Sequence, residues 1–289
     1  MRCTLCPRRC NVDRSVITGS CGQTDEMRVS LAQKHYFEEP CISGTEGTGT
    51  VFFVGCGLGC VYCQNYDISS PSATADTVTP DKLCDMMLLL QAENAHSIDL
   101  VTGTHFTPQI ADALRLARQN GLYIPVIWNS SGYELPQTLM LLDGLVDVYL
   151  PDFKYARSSE AAKYSSAPDY PHVALKAIEY MLSSVGRPVF DKNGMIKRGV
   201  IVRHLLLPGN VIQSKMAIKT LFEHFGNDIV YSIMRQYTPV AHNLPPELMR
   251  TVTDSEYMSL TDYASLLGIT CGFIQQKGCE QKDFIPRFK

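Results

Sequence analysis

The sequence predicts an α/β fold: a parallel sheet built from strand–helix units, preceded by an irregular, cysteine-rich N-terminal segment. Three observations predict it. Short β-branched and aromatic runs recur from residue 50 onward, apolar residues at helical spacing separate them, and eight of the 11 cysteines fall within the first 63 residues. Strands that alternate with helices form parallel sheets with right-handed crossovers. Six such units are too few for a closed eight-stranded barrel. An open three-quarter barrel and a doubly wound sheet both remain compatible with the periodicity.

Residues 1–48 are rich in Cys, Arg and Gly, with one short strand expected at 27–33. From residue 49 the texture changes, which sets the expected boundary between the N-terminal segment (1–48) and the main domain (49–289). Strands are expected at 50–54, 98–102, 124–128, 146–150, 200–205 and 229–234, where Val, Ile, Phe and Tyr dominate. Pro80 opens the first helix, whose apolar face is Leu83, Met86, Met87 and Leu90. Thr107-Pro108 opens the second, Ile110, Leu114 and Ala117 face inward, and Gly121 stops it. Later helices are expected at 158–164, 171–184, 212–225 and 254–267. Asp191-Lys192-Asn193-Gly194 reads as a hairpin turn before the fifth strand.

Composition narrows the function. The chain has 289 residues, 26 Lys+Arg against 29 Asp+Glu, a net charge of −3, 45% hydrophobic and 19% charged residues. That is a globular composition, without the basic footprint of a nucleic-acid binder. No apolar run approaches the roughly 18 residues that cross a bilayer, and the N-terminus has no signal-peptide core. The expectation is a soluble, cytoplasmic protein with no nucleic-acid or membrane partner. An odd cysteine count in such a chain points to metal or cluster ligation rather than a disulfide framework. Cys41, Cys271 and Cys279 have no assigned partner and are expected as free thiols.

The strongest motif follows the first strand: Cys56, Cys60 and Cys63 form C-x3-C-x2-C, interleaved with Gly55, Gly57 and Gly59. Glycines let the backbone wrap tightly and present amide donors to an anionic cluster. Four cysteines saturate a [4Fe–4S] cube, one per iron, so three leave one iron open for chemistry. A zinc site completed by Cys41 or Cys84 is the alternative, although zinc ligands usually come as paired knuckles. Upstream, Cys3, Cys6, Cys10 and Cys21 are four ligands, enough for a closed site holding a second Fe–S cluster or a structural zinc.

With Tyr62 before Cys63, the motif resembles the signature of the radical S-adenosylmethionine (SAM) enzymes. The resemblance extends to the pyruvate formate-lyase activating-enzyme-like subgroup with an N-terminal cysteine segment. It rests on Glu38-Glu39-Pro40-Cys41-Ile42-Ser43-Gly44, Asn129 to Tyr133, Tyr149 to Tyr155, Val202 to Leu205 and Gln236 to Pro239. It implies a partial (β/α)6 barrel whose [4Fe–4S] cluster binds SAM at the open iron. Reductive cleavage would yield methionine and a 5′-deoxyadenosyl radical that takes hydrogen from a substrate. Tyr62 would lie beside the adenine. The Thr102 to His105 stretch would replace the family's Gly-Gly-Glu motif, here without a carboxylate. Asn129, Ser130 and Asp152 match positions that hold a cation and the polar groups of SAM. A flavodoxin- or ferredoxin-type electron donor is implied, with a glycyl radical enzyme as a candidate partner.

Strand position supplies candidates of its own, because ligands in parallel α/β folds bind at the C-terminal strand ends. These are Thr104 and His105, then Asn129 and Ser130, then Asp152 and Lys154, then Arg203 and His204. The leading expectation is a radical SAM oxidoreductase whose substrate is open, with a glycyl residue of a partner enzyme as one candidate. Radical modification of a peptide or small molecule is an alternative, and so is a non-catalytic cluster- or zinc-binding regulatory protein.

Overall fold

The strands are β1 (Arg28–His35), β2 (Thr48–Phe53), β3 (Asp76–Thr77), β4 (Ile98–Val101), β5 (Val126–Ser130), β6 (Val148–Pro151), β7 (Val189–Phe190), β8 (Ile196–Leu205), β9 (Val230–Met234) and β10 (Gly272–Ile274). The helices are α1 (Pro40–Ser43), α2 (Tyr66–Ser69), α3 (Pro80–Ala92), α4 (Thr107–Gln119), α5 (Pro136–Leu139), α6 (Ser158–Ser165), α7 (Tyr170–Val185), α8 (Val211–Phe225) and α9 (Asp254–Leu266). This computed structural model describes residues 2–241, 244–278 and 288. Cys279 lies outside them.

The sheet runs β10-β9-β8-β6-β5-β4-β2-β1-β3. From β2 to β10 every neighbouring pair is parallel, while β1 lies antiparallel to β2 and to β3. This order decides between the two architectures left open by the sequence. A doubly wound sheet reverses its strand order at a switch point. Here every crossover steps the same way, so right-handed connections put the helices on one face and the twist curls the other inward. The result is a partial barrel.

Six parallel strands were expected and the described residues hold seven, because β10 adds itself beside β9. Three residues with no apolar run around them leave no periodic signal. The expected boundary at residue 48/49 falls just inside β2, after Thr48, the residue that pairs with His35 of β1. The hairpin at Asp191 is present and joins β7 to β8.

Strand parity divides the core. Val51, Leu100, Trp128, Tyr149 and Val202 face outward and pack beneath Leu83, Met87, Ile110, Leu114, Ile178 and Leu221 of the helices. Ile127, Val148, Leu150, Ile201 and Val230 face the lumen, where Cys41 and Ile42 of α1 fill its floor. Ile42 is 1% exposed, and burying one such side chain is worth about 1.5–3 kcal/mol. The Glu-Glu-Pro-Cys-Ile-Ser stretch is therefore a plug: its helix starts at Pro40 and ends at Gly44, and the two glutamates stand above it.

Candidate active site

Above this floor the lumen opens into a cavity of about 210 Å³. The loop after β2 carries Cys56, Cys60 and Cys63 along its wall. The loop leaves the sheet through Gly55, whose φ of +88° and close packing exclude a side chain. A Cβ there would lie 2.6 Å from the Cys21 carbonyl oxygen. Val61 N donates to Tyr164 O at 2.9 Å, which fastens the loop to α6. Burial pushes the Cys60 thiol up, and the Cys63 thiol up to about 12. The Ser165 hydroxyl donates to Cys60 Sγ at 3.0 Å, and Leu58 N donates to Cys56 Sγ at 3.4 Å. Three thiols on a glycine-bearing loop against a cavity, two of them with their own donors, fit a cluster that keeps one iron open. The loop's amides and these donors suit its sulfurs.

Tyr62 lines the cavity and is 7% exposed. Its hydroxyl accepts from Tyr155 Oη at 2.8 Å, and Tyr155 Oη lies 2.7 Å from Ser165 Oγ. A chain of three hydroxyls thus ends on Cys60.

Opposite the loop, charged groups are tied to one guanidinium. Arg203 donates through Nε to Asp152 Oδ1 at 3.1 Å, through Nη1 to Glu38 Oε2 at 3.2 Å and through Nη2 to Asn129 Oδ1 at 2.5 Å. Lys154 Nζ donates to Asp152 Oδ2 at 2.6 Å. Asn129 Nδ2 donates in turn to Asp99 Oδ2 at 3.2 Å. Burial alone would push the Asp152 carboxyl up, but the Lys154 ammonium and the Arg203 guanidinium overcome it and hold Asp152 below its ordinary value. Burial raises Glu38, Glu39 and Asp99 against the pull of Arg203, and for Asp99 the nearby Glu38 charge adds to it. One oxygen of Glu39 and one of Asp99 have no hydrogen-bond partner.

The structure brings Cys56, Cys60, Tyr62, Cys63, Asn129, Ser130, Asp152, Lys154 and Arg203 around one cavity. Thr104, His105 and His204 stand outside its lining. Thr104 donates to Glu134 Oε1 at 2.8 Å, and His105 Nε2 lies 2.8 Å from Val54 O. His204 alternates with Arg203 along β8, so it faces the helices, with Nδ1 2.7 Å from Phe153 O. Burial lowers both imidazoles to about 4. Cys3, Cys6, Cys10 and Cys21 lie behind the cluster loop, and Cys6 shares a cavity of about 20 Å³ with Cys56, Thr104 and His105.

Glu38, Asp99 and Glu134 carry no role in the sequence reading. Asp99 had a signal, as a carboxylate in the middle of the apolar run Ile98 to Val101. Glu134 accepts from Ser130 and Trp128, close before it in sequence, and from Thr104, which the fold brings up from 30 residues away.

Residues 42–165 match the family described as a 4Fe–4S single cluster domain. The fold is that of the radical SAM partial barrel. Methylornithine synthase (PylB) superposes with a TM-score of 0.50 at 11% identity, over 73% of this chain and 59% of that one. Streptococcus suis SuiB bound to S-adenosylmethionine superposes with a TM-score of 0.53 at 11% identity, over 78% of this chain and 49% of SuiB. The cysteine motif falls inside the matched stretch, and the barrel is the fold shared with these structures. Among curated proteins it is 27% identical over 243 residues to the uncharacterized protein MJ0674 of Methanocaldococcus jannaschii, covering 82% of this chain and 66% of the relative. The chain spans just under two thirds of that relative and about half of SuiB. Among the described residues no helix is long and apolar enough to cross a membrane.

Proposed function

We propose that this chain is a radical SAM oxidoreductase that acts in the cytoplasm. The observation that carries the proposal is the placement of Cys56, Cys60 and Cys63 on one wall of a cavity whose other wall is the Arg203–Asp152–Lys154 network. Cys56, Cys60 and Cys63 would hold a [4Fe–4S] cluster, which would supply the one electron needed for reductive cleavage of SAM. The residues of the chain do the rest. Tyr62 gives an aromatic wall for the adenine. Asn129, Ser130, Asp152 and Lys154 offer donors and acceptors to the ribose and methionine ends. Arg203 fixes Asp152 and Asn129 so that these groups need no rearrangement.

The finer reading is glycyl radical activation of a partner enzyme, in the manner of the pyruvate formate-lyase activating enzymes, with a flavodoxin or ferredoxin as electron donor. Transfer of deuterium from a labelled glycine of a large partner into 5′-deoxyadenosine supports it. Label arriving from a peptide or small molecule instead replaces it. The primary test is anaerobic 5′-deoxyadenosine formation by the reduced, cluster-reconstituted chain beside Cys60→Ala. Product from the wild type alone is expected. No product together with no SAM binding would overturn the radical reading.

A further inference from the structure

Residues 2–27 carry a second group of thiols that the chemistry above does not use. Among the described residues no helix or strand begins before Arg28, and between Cys3 and Glu26 the buried residues are Arg14, Cys21 and Gln23. Val16 and Ile17 are exposed. Hydrophobic burial cannot hold so short a segment in one conformation, and segments of this size rely on cross-links, metals or docking.

Its backbone is nevertheless wound in a defined way. Cys3 N donates to Val12 O at 2.8 Å, Asn11 N to Cys3 O at 3.0 Å and Arg9 N to Cys6 O at 3.0 Å. Arg9 and Asn11 take φ of +40° and +55°, conformations that cost energy in residues with a side chain. These turns gather the four cysteines. The Cys3 and Cys10 thiols lie within reach of each other. Cys6 lies within electrostatic reach of Cys21, Cys3 and Cys10. Gly19 leaves room between two of them, since a Cβ there would meet Cys10 Sγ at 3.2 Å and Cys21 Sγ at 3.6 Å. All four are free thiols.

The number of thiols bears on the metal. The N-terminal set has the fourth ligand that Cys56, Cys60 and Cys63 lack, and four thiolates saturate a [4Fe–4S] cube with one on each iron. Zinc takes four thiolates too but no sulfide, so acid-labile sulfide distinguishes the two.

The N-terminal group also abuts the cluster loop. Cys6 Sγ lies 3.5 Å from where a Gly57 side chain would begin. Arg8, between Cys6 and Cys10, donates to Gly57 O at 2.8 Å, Leu58 O at 3.0 Å, Ser165 O at 2.9 Å and Ser166 O at 2.6 Å. One guanidinium thus joins the N-terminal segment, the loop of the first cysteine motif and the end of α6.

We infer that Cys3, Cys6, Cys10 and Cys21 ligate a second, closed [4Fe–4S] cluster, whose formation orders the segment and seats Arg8 on the catalytic loop. The test is iron and acid-labile sulfide content, with reduced-state electron paramagnetic resonance, of the full chain carrying Cys56→Ala, Cys60→Ala and Cys63→Ala after anaerobic reconstitution. About four irons and four sulfides per chain are expected, against about eight of each in the wild type. A folded triple variant that holds zinc without sulfide, holds about two irons, or holds no metal overturns the assignment. If the triple variant does not fold, Cys3→Ala/Cys21→Ala decides. About four irons fewer than the wild type is expected, and an unchanged count overturns the inference. A wild type with both clusters that does not cleave SAM would leave this centre standing and remove only the radical reading.

Discussion

The two cysteine groups meet at Gly57 and are built on opposite principles. Cys56, Cys60 and Cys63 hang from the C-terminal end of β2, a strand buried throughout, and they face a cavity. Cys3, Cys6, Cys10 and Cys21 sit in a segment with almost no buried side chain of its own, and they face one another. A rigid scaffold can afford a ligand set that is one thiolate short, because the missing ligand is where chemistry happens. A segment without a core would need a complete set, because a metal can order what burial does not. The difference teaches that the number of cysteines follows from what else holds the loop.

The largest effect comes from breaking the open set. Cys60→Ala removes one of three ligands and the acceptor of the Ser165 bond, and 5′-deoxyadenosine formation should fall to background while far-ultraviolet circular dichroism stays native. Residual turnover in the variant would mean that the cluster is held elsewhere. Arg203→Leu tests the opposite wall. It leaves Glu38, Asp152 and Asn129 without their shared donor, and breaking such a buried network costs about 3–5 kcal/mol. A fall of that size in denaturant-derived stability is expected, together with weaker SAM binding.

Buried imidazoles give a pH signature that belongs to the barrel and not to the N-terminal segment. His105 and His204 titrate near 4 when folded, below the ordinary 6.5. Between those values the unfolded chain binds the extra proton, so stability is complete above about pH 6.5, declines as pH falls toward 4 and levels off below. Each ring contributes up to about 3 kcal/mol to that decline. Guanidinium unfolding at pH 7.5 and 5 should show a smaller pH dependence in His204→Asn than in the wild type. An unchanged dependence would mean that His204 is accessible to protons.

Much of this molecule is legible in its sequence. The six expected strands and the long helices start and stop within about two residues of the observed ones, except β8, which begins at Ile196 instead of residue 200. Runs of Val and Ile between capped helices leave few other foldings, and Thr253 and Glu256 form the capping box that starts α9. The loop cysteines are legible because ligand spacing is local. What sequence does not reveal is which side of a strand end faces the lumen. Arg203 and His204 are neighbours with equal claims, and the pleat sends one to the cavity and the other to the helices. Glu38 escapes for a different reason: it reaches Arg203 across 165 positions of sequence, and only the plug formed by α1 puts it there.

Arg8→Ala probes the junction of the two groups. It removes four hydrogen bonds from a charged donor but leaves every cysteine in place. Part of this energy returns through water at the partly exposed site, so a loss of about 2 kcal/mol is expected. Iron should also leave faster on exposure to a chelator, and release unchanged from the wild type would show that the segment does not brace the catalytic loop.

Ser165→Ala gives the smallest and most selective effect. Its hydroxyl donates to Cys60 Sγ at 3.0 Å and is linked to Tyr155. The substitution removes one hydroxyl while Tyr155 keeps Tyr62 as its partner, so stability should change by only about 1 kcal/mol. The cluster should respond more than the fold. A donor to a ligating sulfur withdraws charge and stabilises the reduced state, so its loss should make the potential of the SAM cluster more negative. A redox titration followed by electron paramagnetic resonance should show one signal shifting in potential and the N-terminal signal staying still, because Ser165 reaches the second group only through its carbonyl to Arg8. If both signals moved together, the two groups would be one electronic unit and the contrast between them would fail.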